Sequence, residues 1–255
     1  MPFLSALPTV DPQSVVDGAK LWSGPGYIDG LQMQWVSATA VTVSSGRAYI
    51  PSLGYYLDAP NAIALTGLAL TASTFYHLYL YNNAGTPAIE CVTTAPAAPY
   101  SGTARAKTGD TSRRYVGSVK TDSSGNIFNF TMNGLCVSYY ADVGEGVAPF
   151  RLLQAGVATT NTTVSALALV PITSKLMLLR AFNFDTGAPA RFLNSESGLS
   201  VPACLLSISA DVGGVATNAF VDFPLDSSQA FEYFMNGTPS GAGCYADCLG
   251  YTYQR

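Results

Sequence analysis

Phe75-Tyr-His-Leu-Tyr-Leu-Tyr81 is the stretch whose reading decides the fold class. With a two-residue period, Tyr76, Leu78 and Leu80 share one face, and His77, Tyr79 and Tyr81 share the other. Bulky groups on both sides predict a central strand. Asn82-Asn83-Ala84-Gly85 supplies turn chemistry after it, and Ala88–Thr94 is the expected partner strand. The proline-rich Ala95-Pro-Ala-Ala-Pro-Tyr100 then makes an extended crossing.

The same alternation spreads outward from this strand. In residues 39–50, Val41 and Val43 lie on one face, and Ser44-Ser45-Gly46 reads as a hairpin turn before the return strand. Arg114–Thr121, the turn Asp122–Asn126 and Ile127–Phe130 read as a second hairpin. Further strands are expected at 163–170, 176–182, 203–209, 219–223, 231–234 and 249–253. No repeat of fixed period and no heptad segment interrupts the pattern, so neither a solenoid nor a coiled-coil shaft is expected.

Together these signals predict an all-β chain of two antiparallel β-sandwich-like units behind a short extended N-terminal arm. The arm or linker covers 1–28, the first β domain 29–142 and the second β-sandwich domain 143–255. The boundary follows Gly144, Gly146 and Pro149, which break regular structure. The arm, apolar but too short to fold alone, gains most by packing on a neighbouring subunit.

Composition narrows the function classes. Hydrophobic residues make up 48% of the 255 positions and charged residues 11%. The charged share is under half of the roughly 25% usual in soluble domains. Gly, Pro, Ser, Thr and Asn punctuate every apolar run, so nothing approaches the ~18 uninterrupted apolar residues of a membrane span. Membrane insertion is not expected, and the opening residues, with two prolines and no basic region, do not read as a secretory signal. The formal charge of −4 lacks the positive field that draws phosphate, so nucleic acid is not an expected partner.

Catalytic chemistry is thinly provided. The single histidine, His77, sits inside the central strand, where a packed or hydrogen-bonded role is expected. Lys107-Thr108-Gly109 matches one element of penicillin-recognising enzymes, but no Ser-x-x-Lys accompanies it, and it reads as a turn. Neither a phosphate-cradling loop nor a dinucleotide fingerprint is present. The odd number of cysteines reads as mostly reduced, and Cys244-Tyr-Ala-Asp-Cys248 as a local disulfide or two buried thiols. No enzyme, no catalytic residue, no metal and no cofactor are therefore expected.

Aromatic residues remain, with 15 Tyr, 12 Phe and 2 Trp. Tyrosine joins apolar area to a polar tip, which suits contact surfaces. Tyr55, Tyr56, Tyr139, Tyr140, Tyr251 and Tyr253 are the candidate contact surface, with cross-strand packing as the competing use.

The block from Asp29-Gly-Leu-Gln-Met-Gln-Trp35 to Phe130 resembles the β-rich modules of tail-fibre, baseplate and other virion proteins of tailed bacteriophages. The resemblance is carried by Val-Ser-Ser-Gly-Arg-Ala-Tyr-Ile at 43–50, Tyr-Asn-Asn-Ala-Gly-Thr-Pro at 81–87, and the stretch from Arg113 to Ile127. The close of the chain, from Val221 to Asp226 and from Gly250 to Arg255, resembles the last strands of a virion β-sandwich. The resemblance implies a virion component, assembled in the bacterial host cytoplasm. It would be tail- or baseplate-associated and commonly homotrimeric, with no catalytic residues. Its partners would be copies of itself, other virion proteins and a host-surface glycan or protein. A capsid decoration protein and a glycan-binding or glycan-degrading tail module are the alternatives. A shaft is missing, so a compact adaptor or receptor-binding piece fits better than a long fibre.

Overall fold

The computed structural model describes residues 24–140, 150–209 and 216–255. The expected arm up to residue 23, and the expected linker at 142–149, lie outside them. Every regular element described is extended apart from one 3-10 turn at Ser195–Ser197, so the chain is all-β as its alternation predicts.

The first six strands are β1 (Ile28–Gly30), β2 (Met33–Ser37), β3 (Ala40–Val43), β4 (Gly46–Ile50), β5 (Tyr55–Ala59) and β6 (Ile63–Leu65). They form two three-stranded sheets, ordered β1-β4-β5 and β2-β3-β6. Next come β7 (Phe75–Asn83), β8 (Thr86–Val92), β9 (Ala106–Lys107) and β10 (Asp110–Lys120), in the order β8-β7-β10-β9. The strand read first in the sequence is thus a central one, flanked on both sides, and its partner after the Asn82–Gly85 turn is the expected one. Thr108 and Gly109 form the turn between β9, which Lys107 ends, and β10.

The rest of the chain supplies β11 (Phe130–Asn133), β12 (Cys136–Tyr139), β13 (Arg151–Gly156), β14 (Thr162–Ser165), β15 (Ser174–Asn183), β16 (Ala190–Leu193), β17 (Leu206–Ile208), β18 (Thr217–Pro224), β19 (Ala230–Met235) and β20 (Cys244–Tyr253). One six-stranded sheet runs β11-β12-β20-β15-β18, with β13 also paired to β20. A four-stranded sheet runs β14-β19-β16-β17. All pairings are antiparallel.

Two local expectations need correction. Residues 39–50 are not a hairpin: β3 pairs with β2 and β6, whereas β4 pairs with β1 and β5. Ser44-Ser45-Gly46 is a corner between two sheets. It is pinned by Ser44 N–H donating to Gln32 O (2.8 Å) and Leu31 N–H donating to Ser45 O (3.1 Å). Gly46 is required there, because a Cβ would lie 2.3 Å from Asp29 O. The second expected hairpin shrinks to one bridge, Thr121↔Ile127, because β10 takes β7 as its long partner.

The division at residue 142 is also crossed. β12, on its near side, pairs with β20 at the far end of the chain, through Val137↔Tyr251 and its neighbours. One buried cluster runs from Leu31 and Met33 through Tyr79 and Tyr115 to Phe223, Tyr251 and Tyr253. The buried Arg255 closes the loop, donating to Leu31 O (2.7 Å) and Gly30 O (2.8 Å). With no carboxylate beside it among the described residues, this arginine is tolerable because carbonyl acceptors replace the water it gives up. The two expected units therefore share a sheet and a core.

Candidate contact surfaces

Burial separates the six tyrosines. Tyr139, Tyr251 and Tyr253 are 7%, 0% and 0% exposed, so they are core residues and not part of a contact surface. Each hydroxyl has a partner, as burial demands. Tyr251 donates to Ser118 O (2.8 Å), Tyr139 to Leu169 O (2.9 Å) and Tyr253 to Met132 Sδ (3.6 Å). Burial pushes the Tyr139 and Tyr251 phenols well above the ordinary range. Tyr55 and Tyr56 are half-buried on β5, with Tyr56 beneath the Arg47 guanidinium at 5.5 Å from its ring centre. Tyr140 is 63% exposed and follows β12, in a different sheet from β5. The candidate set therefore does not converge on one patch.

The most enzyme-like grouping is sealed. His77 Nδ1 lies 2.7 Å from Ser118 Oγ, which lies 2.8 Å from the Tyr115 hydroxyl, which lies 3.0 Å from Thr173 Oγ1. A Ser–His contact alone resembles half of a nucleophilic pair. No carboxylate orients the imidazole among the described residues, and the four side chains are 5%, 1%, 0% and 1% exposed. Burial lowers His77 to about 4 and raises Tyr115 to about 12, so both are neutral at neutral pH. The cluster is a satisfied polar core, which explains the histidine in the strand.

The buried cysteines and Asp185 also serve the fold. All five cysteines are free thiols, and Cys244 and Cys248 are buried, each raised by burial to about 12. Only thiolates attack, so these two are inert. Among the described residues no group of three or more His, Cys, Asp or Glu is placed to hold a metal ion. Asp185, fully buried, accepts from the backbone N–H groups of Gly187 (2.8 Å), Ala188 (3.1 Å), Ser240 (2.8 Å) and Gly241 (3.1 Å). Burial alone would raise its carboxyl, but these donors outweigh that and bring it to about 2. It is a clamp tying two loops together.

An unpredicted surface lies on the outer face of the six-stranded sheet. Registers Arg151↔Asp247, Arg180↔Asp247 and Arg180↔Phe220 line up one row across β13, β20, β15 and β18. Asp247 pairs with Arg151 and, at 3.6 Å, with Arg180. The adjacent row stacks Phe182 on Tyr245, with ring centres 4.9 Å apart and planes 2° from parallel. Arg151 and Arg180 lie over these rings, and Arg180 also over Phe220 at 6.0 Å. Planar guanidinium groups can pair with a carboxylate and stack on a ring at once, which is why arginine and not lysine occupies both positions.

This row ends on an open edge. β18 pairs with β15 alone, from Leu176↔Pro224 to Asn183↔Thr217, and no described strand pairs with its other side. Phe220 is 65% exposed and Val221 37%, so the strand is apolar towards solvent on both faces. Beside it lies a groove of about 500 Å³ whose walls include Leu178, Val221 and Leu249 together with Ser138 and Asp222. The alternation in Leu179-Arg-Ala-Phe-Asn-Phe184 could have shown that Arg180, Phe182 and Phe184 share a face. Nothing in the sequence alone marks β18 as an edge.

No protein-family model matches the chain, and no curated protein matches it in sequence.

Proposed function

We propose that this chain is a non-catalytic structural subunit of a bacteriophage particle, tail- or baseplate-associated, which serves attachment by assembling with copies of itself and with other particle proteins. The observation that carries the assembly reading is the exposed edge strand β18. An eight-residue edge to which no described strand pairs on its outer side, with Phe220 and Val221 exposed, is a template for another strand. Lone proteins usually guard such an edge with lysine or an outward proline, and β18 carries only Asp222 and a terminal Pro224.

A second copy is a fitting occupant. Antiparallel pairing about a two-fold axis at Phe220 sets Phe220 opposite Phe220 and Asp222 opposite Asn218, so no like charges meet. A three-fold arrangement would instead join β18 to a different edge of its neighbour. The particle assignment itself rests on the resemblance of residues 29–130 to tail-fibre and baseplate modules. Electron cryomicroscopy of purified particles tests it: copies in threes or sixes at the tail tip support it. Hundreds over the head would make the chain a decoration protein, and absence from the particle would overturn the assignment.

A further inference from the structure

A groove of about 980 Å³ lies where β7 begins and β10 ends. Its walls are Ser73, Thr74 and Phe75, Lys120 to Ser123, Phe128, and the turn Leu167–Leu169 that follows β14. It shares no residue with β18 or with the aromatic–arginine face.

Lys120 is the unusual member. Its residue is 8% exposed, yet among the described residues no carboxylate pairs with its ammonium. Nζ donates to Ser73 O (2.7 Å) and sits 4.9 Å from the centre of the Phe75 ring. An ammonium carries three N–H donors, and Ser73 O takes one of them. Asp122, on the same wall, turns its carboxylate back to Ser124 N, Asn126 N and Asn126 Nδ2, and so does not neutralise Lys120. Burial holds Lys120 below the ordinary lysine range, which a bound anion would reverse.

We infer that this groove binds an acidic saccharide, with the sugar carboxylate on Lys120 Nζ. A single ammonium matches one diffuse carboxylate, whereas phosphate recognition usually gathers several cations or a cradle of backbone N–H groups. The rim hydroxyls of Ser73 and Ser123 offer the neutral hydrogen bonds that sugar hydroxyls need, while the Thr74 hydroxyl already donates to Ala72 O (2.8 Å). Phe75 and the exposed Leu167 offer apolar contact for ring faces. The inference deepens the attachment reading by naming a ligand class, but it stands on its own residues. Failure here leaves self-association through β18 intact, and the converse also holds.

The test is calorimetric titration of the full chain with an oligogalacturonate, a neutral galactose oligomer of equal length, and a polyglutamate peptide. Saturable binding of the oligogalacturonate is expected, weakened roughly tenfold or more by Lys120→Met. Because Lys120 is buried, its variant is paired with Leu167→Glu and Leu167→Lys at a position 52% exposed. Leu167→Glu is expected to abolish binding and Leu167→Lys to retain it. No saturable binding, equal binding of the neutral oligomer, equal binding of polyglutamate, or indifference to both Lys120→Met and Leu167→Glu would each overturn the inference.

Discussion

The two faces of β20 show the same strand put to opposite uses. Inward, Cys244, Ala246, Cys248, Tyr251 and Tyr253 are all 0% exposed, and the tyrosine hydroxyls are tied to partners inside the fold. Outward, Tyr245 and Asp247 are covered only by one another's neighbours, chiefly Arg151, Arg180 and Phe182. The inner face draws its stability from area removed from water, and the outer face from an ion pair that aromatic rings shield. What differs is the layer beyond: the β7–β10 sheet closes the inner side, and nothing described closes the outer side at β18. An aromatic residue is therefore core or contact according to what lies across from it, and not according to its type.

The largest effect is expected inside. Tyr251→Ala removes a fully buried ring and leaves Ser118 O without its donor, at roughly 4 kcal/mol, read as the free energy of urea unfolding. If the outer ion pair matters to the fold, Asp247→Ala should follow at about 3 kcal/mol, because Arg151 and Arg180 lose their shared carboxylate. A value near zero would show the outer row to be dispensable.

The inner face should also respond to acid. His77 falls from its ordinary 6.5 to about 4 in the fold, so between those values the unfolded chain binds the proton and the folded chain does not. Stability is therefore full above about 6.5 and declines as pH falls towards 4, by on the order of 3 kcal/mol. Unfolding curves at pH 7.5 and 4.5 measure this, and since His77 is the single histidine, His77→Asn should flatten the slope across that window. Asp185, depressed to about 2, takes over only below the ordinary carboxyl range, as its ionised form is protonated.

The smallest change in stability is expected at Phe220, which is 65% exposed. Phe220→Ala should move the unfolding free energy by no more than about 0.5 kcal/mol. Its effect should fall on association instead, the outcome that separates a contact residue from a core one.

Much of the fold was legible because β7 announces itself. Phe75–Tyr81 alternates two bulky faces between turn signals, and the structure makes it the centre of its sheet. Residues 39–50 misled because alternation around Ser44-Ser45-Gly46 specifies two strands and a sharp bend, but not whether the strands pair across it. The Gly30–Gly46 crossing that sends them to separate sheets is a long-range event. The tyrosines failed for a related reason. A period of two says that Tyr251 and Tyr253 share a face, not that the face is inward. Cys248 and Tyr251 can both point inward only because the register slips at Gly250, whose Cβ would lie 2.1 Å from Val137 O. The Arg151–Asp247–Arg180 row was invisible because its members come from three strands that meet only in the folded sheet.

Sedimentation velocity across a range of concentrations, with the wild type compared to a chain carrying both Phe220→Lys and Val221→Lys, asks whether copies meet through β18. A wild-type assembly larger than one chain and a folded, monomeric double variant are expected, since both side chains reach solvent and lysines on an edge oppose strand addition. A wild type that stays monomeric throughout, or a double variant that assembles as well as the wild type, would contradict assembly through that edge.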